Sequence, residues 1–116
     1  DLKKRGCDYI CASSGGAAPE QTIPVAPLYQ VGFAERIRAH VDLPVIAVGL
    51  ITEPQQAENI LAHGQADLIA LGRGMLVNPR WAWTAAEALG GEADFPPQYE
   101  RAHPSLRRND GFKVVR

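Results

Sequence analysis

Two apolar segments that each end on a glycine constrain the fold of this chain most strongly. They are residues 44–51 (PVIAVGLI) and residues 67–74 (DLIALGRG). Within each segment the apolar residues are consecutive and do not alternate with polar ones, which is typical of strands in parallel sheets. Each glycine is followed by a segment with helical spacing. The strand, turn and helix order predicts an α/β fold.

The chain repeats this βα pattern three times. The predicted strand and helix pairs are residues 8–13 with 29–40, 45–48 with 53–63, and 67–71 with 79–89. Right-handed crossovers would place the loops after all three strands at one edge of a parallel sheet. We therefore expect the functional residues at that edge.

The second helix carries the clearest local signals. Thr52 is a predicted N-cap, and Gln55 would complete a capping box with it. Ala57, Ile60 and Leu61 fall at helical spacing and predict a buried stripe. We expect this stripe to pack against the sheet.

Gly49 and Gly72 stand at equivalent ends of two neighbouring predicted strands. A glycine lets backbone N–H groups approach a phosphate closely, and a helix N-terminus favours negative charge. Two such turns could hold one phosphate between them, as in the last two βα-loops of a (β/α)8 barrel. The alternative is that both glycines serve only the conformation of their turns.

Composition excludes several classes of protein. The 116 residues are 46% apolar and 22% charged, which indicates a globular domain. A net charge of −1 provides no general attraction to nucleic acid or to an anionic membrane. No apolar run approaches the roughly 20 residues that span a bilayer, and no signal-peptide stretch follows the N-terminus. A cytoplasmic protein is expected.

The two cysteines, Cys7 and Cys11, predict neither a disulfide nor a metal site. Four positions apart on one strand, they would lie roughly 13 Å from each other, too far to be bridged. No histidine or third cysteine accompanies them. We interpret both as small residues of a buried strand.

The βα pattern stops at Glu92. We therefore divide the chain into βα units at residues 1–91 and a C-terminal arm and tail at residues 92–116. Residues 95–101 (FPPQYER) are predicted to be an extended arm, and residues 103–116 a poorly ordered tail.

The order of these motifs resembles one known family. The quoted motifs are VIAVGLI at 45–51, QAENIL at 56–61, ADLIALGR at 66–73, Asn78-Pro79, and PQYER at 97–101. Together they resemble the C-terminal part of an Old Yellow Enzyme-type NAD(P)H:flavin oxidoreductase, in the bacterial branch with a C-terminal arginine finger. The resemblance implies a (β/α)8 TIM barrel that binds FMN at the C-terminal ends of its strands, with this chain as repeats six to eight.

The resemblance also implies roles for individual residues. Gly49, Gly72 and Arg73 would bind the FMN phosphate, and Ser14 and Gly15 would lie near the flavin.

Arg101 would be the catalytic finger that reaches into the active site of a neighbouring subunit, which implies a homo-oligomer. The reductant would be NAD(P)H and the substrate an activated alkene.

One departure from the family is large. The family's paired ring-binding residues and its tyrosine proton donor would precede Asp1, and a complete barrel needs at least about 200 residues. We therefore expect a fragment or a truncated reading frame that is inactive on its own. Two alternatives stay open, another phosphate-binding barrel enzyme and a non-catalytic remnant that self-associates.

Overall fold

A computed structural model describes residues 1–94 and 96–102, and for residues 100–102 it describes the backbone alone. The chain divides into two compact units between Trp81 and Ala82. No helix in the described ranges is both long and apolar enough to cross a membrane.

Three short strands alternate with helices along the chain. The elements are a 3-10 turn at Lys3–Arg5, β1 at Ile10–Ala12, α1 at Val31–Arg38, β2 at Val45–Ala47, α2 at Pro54–Ala62, β3 at Leu68–Ile69, α3 at Arg73–Val77, α4 at Trp81–Ala88, and a 3-10 helix at Pro97–Ala102.

The strands form one parallel sheet in the order β1-β2-β3. Ile10 pairs with Val45, and Ala47 pairs with Ile69. Consecutive parallel strands joined by helical crossovers confirm the predicted α/β class and fit three βα units of a TIM barrel. Because the strands are parallel, their C-terminal ends meet at one edge.

One face of the sheet forms the core. Val45 and Ala47 of the central strand are completely buried there. They belong to a single apolar cluster with Ala34 of α1 and with Ala57 and Ile60 of α2. Burial of these side chains on one face holds the two helices against the strands.

The prediction that Cys7 and Cys11 belong to a buried strand is wrong, because Cys11 lies on the face of the sheet away from the core. Cys11, Ile46 and Leu68 are register partners across the three strands, on the face away from the core. Cys11 is exposed, Leu68 is 52% exposed, and Cys7 is half-buried. The described helices cover only the other face, so alternate strand positions point away from them.

The helix cap predicted at Thr52 is also wrong, because the N-cap of α2 lies one residue later. Glu53 is the N-cap and Pro54 is the first helical residue. The carboxamide oxygen of Gln56, not Gln55, accepts hydrogen bonds from the backbone N–H groups of Thr52 (3.1 Å) and Glu53 (3.2 Å). Proline is favoured at the first helical position since it has no N–H to satisfy.

The buried stripe of α2 is confirmed at two of its three positions. Ala57 and Ile60 are 8% and 1% exposed, whereas Leu61 is 39% exposed. Leu61 follows Ile60 directly, so it lies about 100° around the helix and away from the sheet.

The predicted extended arm is instead partly helical. Residues Pro97–Ala102 form a 3-10 helix in which Tyr99 N–H donates to the carbonyl of Pro96. Within the same unit, the rings of Trp83 and Tyr99 meet edge to face at 5.3 Å. The fixed φ of proline suits a helical turn as well as an extended segment. Phe95 and the predicted tail at residues 103–116 lie outside the described residues.

Candidate functional site

A small cavity lies where β2 and β3 end. Its volume is about 130 Å³. Gly49, Gly72 and Arg73, which belong to two separate sequence motifs, all contribute to its wall. The complete wall consists of Tyr29, Gln30, residues 48–52 and residues 70–74.

Unpaired backbone donors surround this cavity. The N–H groups of Gly49, Leu50 and Ile51 on one turn, and of Gly72 and Arg73 on the other, find no acceptor among the described residues. Gly49 and Ile51 are buried, and buried backbone donors without a partner are rare in proteins. Successive N–H groups in a turn form concave anion sites.

Gly49 cannot be another residue without strain. Its φ is +125°, a backbone conformation that side chains disfavour. A Cβ atom there would lie 3.0 Å from Gln30 Nε2 and 3.1 Å from Gln30 Cβ. The first glycine turn is therefore shaped around the side chain of Gln30.

Gln30 is a buried polar residue that joins two loops. It is 3% exposed and sits at the N-cap of α1. Its Oε1 accepts hydrogen bonds from the backbone N–H and, at 3.0 Å, from the hydroxyl of Ser14. Because Oε1 faces Ser14, the carboxamide nitrogen lies beside Gly49 at the cavity wall.

Ser14 and Gly15 do not line the cavity themselves. Ser14 reaches it only through Gln30. Gly15 has a φ of +81°, and a Cβ there would meet Ile23 Cδ1 at 2.6 Å, so packing accounts for this glycine. The role near the flavin that the family resemblance implies for both residues stays a prediction.

Gly72 differs from Gly49, because no described atom crowds the position that its Cβ would occupy. Its φ is −92° and its ψ is −87°, and a Cβ there would meet nothing within 4 Å. No described residue therefore crowds a side chain at this position. The open space at the cavity wall is what a closely approaching ligand would occupy.

Arg73 provides the charge of the site. It is exposed and makes no ion pair with any described residue, and no other wall residue is charged at neutral pH. A guanidinium matches the geometry of a phosphate and stays charged at every physiological pH. The cavity is therefore a positively charged site.

Cavity size limits what the site can enclose. A volume of about 130 Å³ exceeds the roughly 10–15 Å³ needed for one water molecule. It is smaller than the roughly 300–1,000 Å³ of pockets that enclose a whole drug-sized ligand. A group the size of a phosphate fits, whereas a flavin ring would extend beyond it.

A larger groove of about 790 Å³ lies at the opposite, N-terminal ends of the strands. Four of its five charged residues are paired, since Lys3 bonds to Asp42 and Arg38 Nε lies 3.0 Å from Asp67, and the fifth is Asp8. The backbone N–H of Val45 and then Arg38 hold the pKa of Asp67 below its ordinary value. This end of the sheet is therefore suited to holding the fold together.

Arg101 lies in the 3-10 helix Pro97–Ala102, but its side chain is outside the described residues. Its role as a catalytic finger stays a prediction.

The sequence signals missed Gln30 and Leu50 as wall residues. Leu50 lies in the first glycine motif, but only the glycine of that motif was predicted to bind a ligand, and Gln30 lies in no predicted binding motif, 19 positions before Gly49.

Comparison with known proteins adds independent information. Residues 7–92 match the NADH:flavin oxidoreductase / NADH oxidase family. An NADPH dehydrogenase of Geobacillus thermodenitrificans is 49% identical over 100 residues, which are 86% of this chain and 29% of that protein. An NADPH dehydrogenase of Bacillus licheniformis is 48% identical over 101 residues, 87% of this chain and 30% of that protein. The chain thus spans about three tenths of the length of these relatives.

Proposed function

Because the chain belongs to the NADH:flavin oxidoreductase / NADH oxidase family, we propose that its two glycine turns bind the phosphate group of FMN. One observation carries the proposal, namely the five unpaired backbone N–H groups around a phosphate-sized cavity. A phosphate provides several strong acceptors, and such acceptors satisfy convergent backbone donors.

The cavity wall supports a division of roles. The backbone donors of the two turns would fix the phosphate in place, and Arg73 would balance its charge. Gln30 would add a donor through Nε2, since its Oε1 is already engaged by Ser14. These groups bind and orient, and they move no proton.

The reaction itself belongs to the cofactor. Bound FMN supplies hydride transfer between NAD(P)H and an activated alkene. The family and the names of the relatives support this reductant. The alkene substrate, the finger role of Arg101 and assembly into a homo-oligomer are also part of the proposal, and they rest on the resemblance of the sequence motifs.

We further propose that this chain by itself does not reduce activated alkenes. Tyr29 is the only described wall residue of a type that commonly acts as a general acid, and it lines a phosphate-sized cavity that does not enclose the flavin ring. A general acid placed at the reacting atoms typically contributes about 10²–10⁴-fold to a rate. A steady-state assay of the 116-residue chain with FMN, NADPH and cyclohexenone tests this. Turnover clearly above that of free flavin would contradict it.

The binding test uses titration of FMN against the protein with matched variants. Arg73→Gln should weaken FMN binding by roughly 10- to 100-fold, since hydrogen bonds to charged groups contribute about 1.5–3 kcal/mol. Arg5→Gln removes an exposed arginine that does not line the cavity, and should leave the affinity unchanged.

A substitution at position 72 tests ligand binding separately from folding. Gly72→Val should fold, because the space around its Cβ is open, but its side chain should block the phosphate. Wild-type FMN affinity in both Gly72→Val and Arg73→Gln would refute the site.

Riboflavin lacks the phosphate and should bind far more weakly than FMN. Tighter binding of a sugar phosphate than of FMN would favour another class of phosphate-binding barrel.

A further inference from the structure

Two leucines adopt a backbone conformation that is unusual for leucine. Leu28 has a φ of +63° and Leu50 a φ of +51°, and they are the only non-glycine residues with positive φ in the described part of the chain. This conformation is disfavoured because Cβ crowds the following carbonyl oxygen. It persists where the surrounding structure imposes it, often at functional sites.

Both leucines flank the cavity of the two glycine turns. Leu50 is part of its wall, and its N–H is one of the five unpaired donors. Leu28 lies two residues before Gln30 and packs against the apolar core, and its carbonyl accepts the N–H of Val31 at 3.0 Å. The left-handed turn at Leu28 therefore leads the chain into the position that buries Gln30.

The turn after β2 has two consecutive residues with positive φ. Gly49 at +125° and Leu50 at +51° turn the chain between the sheet and α2. In this stretch the N–H groups of residues 49–51 bond to no described acceptor, whereas the next one, that of Thr52, bonds to Gln56. Two of the three free donors therefore belong to the residues with positive φ, and the third, that of Ile51, follows them directly.

Building on the proposed phosphate site, we propose that Leu50 is a positioning residue whose left-handed backbone holds the donors of the first glycine turn in their binding arrangement. Glycine at this position would reach the same conformation but would populate others as well. The fold imposes the left-handed conformation on Leu50 against the preference of its side chain, so the donors are arranged before the ligand arrives.

Two substitutions separate the backbone effect from the loss of the side chain. Leu50→Ile keeps the atom count but adds a β-branch, which is strongly disfavoured at positive φ. Leu50→Asn removes the apolar side chain but tolerates the left-handed conformation. Leu61→Ile is the matched control, because Leu61 is exposed on α2 and outside the cavity wall.

The measurement is the dissociation constant for FMN and for riboflavin, well below the melting temperature of each ligand-free variant. Leu50→Ile should weaken FMN binding at least about tenfold and reduce the preference for FMN over riboflavin. Leu50→Asn should stay within about threefold of the unsubstituted protein, as should Leu61→Ile. A purely structural role would lower melting temperatures without changing the preference for FMN.

The outcomes distinguish this inference from the proposed function. Wild-type FMN affinity in Leu50→Ile would overturn the inference alone, and so would a loss in folded Leu50→Asn as large as that in Leu50→Ile. If Leu50→Ile does not fold, a loss of about tenfold or more in folded Leu50→Asn still overturns the inference. An unsubstituted protein that binds riboflavin as tightly as FMN would overturn the proposed function, and the inference with it.

Discussion

Replacing Gly49 by alanine tests the geometry of the candidate site most directly. The added Cβ would lie 3.0–3.2 Å from three atoms of Gln30. Gln30 cannot move away freely, since it is buried and its Oε1 is held by two hydrogen bonds from Ser14. The alanine must also adopt a φ of +125°.

The magnitude follows from these two effects. A non-glycine residue in such a conformation costs roughly 1–3 kcal/mol, and overpacking typically costs about 1–3 kcal/mol. We therefore expect Gly49→Ala to lower the free energy of unfolding by about 2–6 kcal/mol. Gly16→Ala is the control, because Gly16 also has positive φ (+76°) but open space around its Cβ. It should cost about 1–2 kcal/mol.

Urea unfolding at constant m-value measures both free energies. A double-mutant cycle with Gln30→Ala then isolates the contact. Truncating Gln30 removes two of its three close atoms, Nε2 and Cγ, so Gly49→Ala should cost less in that background by about 0.5–3 kcal/mol. The reasoning is refuted if Gly49→Ala costs no more than Gly16→Ala, or costs the same with and without the Gln30 side chain.

Three further outcomes are expected. Asp67→Asn should destabilise the protein more at pH 7 than at pH 3, because the backbone N–H of Val45 and then Arg38 lower the pKa of Asp67. Stability from a depressed pKa is fully present above the unfolded value and is lost as pH falls through the folded one. Urea unfolding at both pH values measures this, and an equal loss at both would contradict it. Trp81→Phe should cost about 0.5–1.5 kcal/mol in thermal unfolding by removing the Nε1 hydrogen bond to the Thr52 carbonyl (2.9 Å); no loss would show that this bond is not net stabilising. The 116-residue chain should self-associate through the unpaired edges of β1 and β3, and a stable monomer in light scattering would argue against this.

Local patterns in the sequence were sufficient for the architecture. Apolar runs without alternation predicted parallel strands, and helical spacing predicted the crossovers. Because parallel strands joined by helices must end at one edge, Gly49 and Gly72 could be placed together although 22 residues separate them. The cavity that both line agrees with this placement. The family was inferred from the order of motifs, and the match over residues 7–92 confirms it.

The wrong predictions of burial, for the cysteines and for Leu61, share one cause, because both depended on what covers a residue in space. Cys11 sits in an apolar strand, yet its face of the sheet has no described helix against it. Leu61 fits the helical spacing, yet the sheet lies on the Ile60 side of α2. Periodicity identifies a face, whereas only the packed structure decides whether that face is buried.

The sequence by itself determined the order of strands and helices, the glycines at the strand ends and the positive charge beside them, because each of these is encoded within a few neighbouring residues. Only the tertiary structure decided that Gln30 would be buried against Gly49 and that Leu50 would take a left-handed turn. Both features arise where separate loops meet, and the free energy that imposes them comes from contacts between residues distant in the chain.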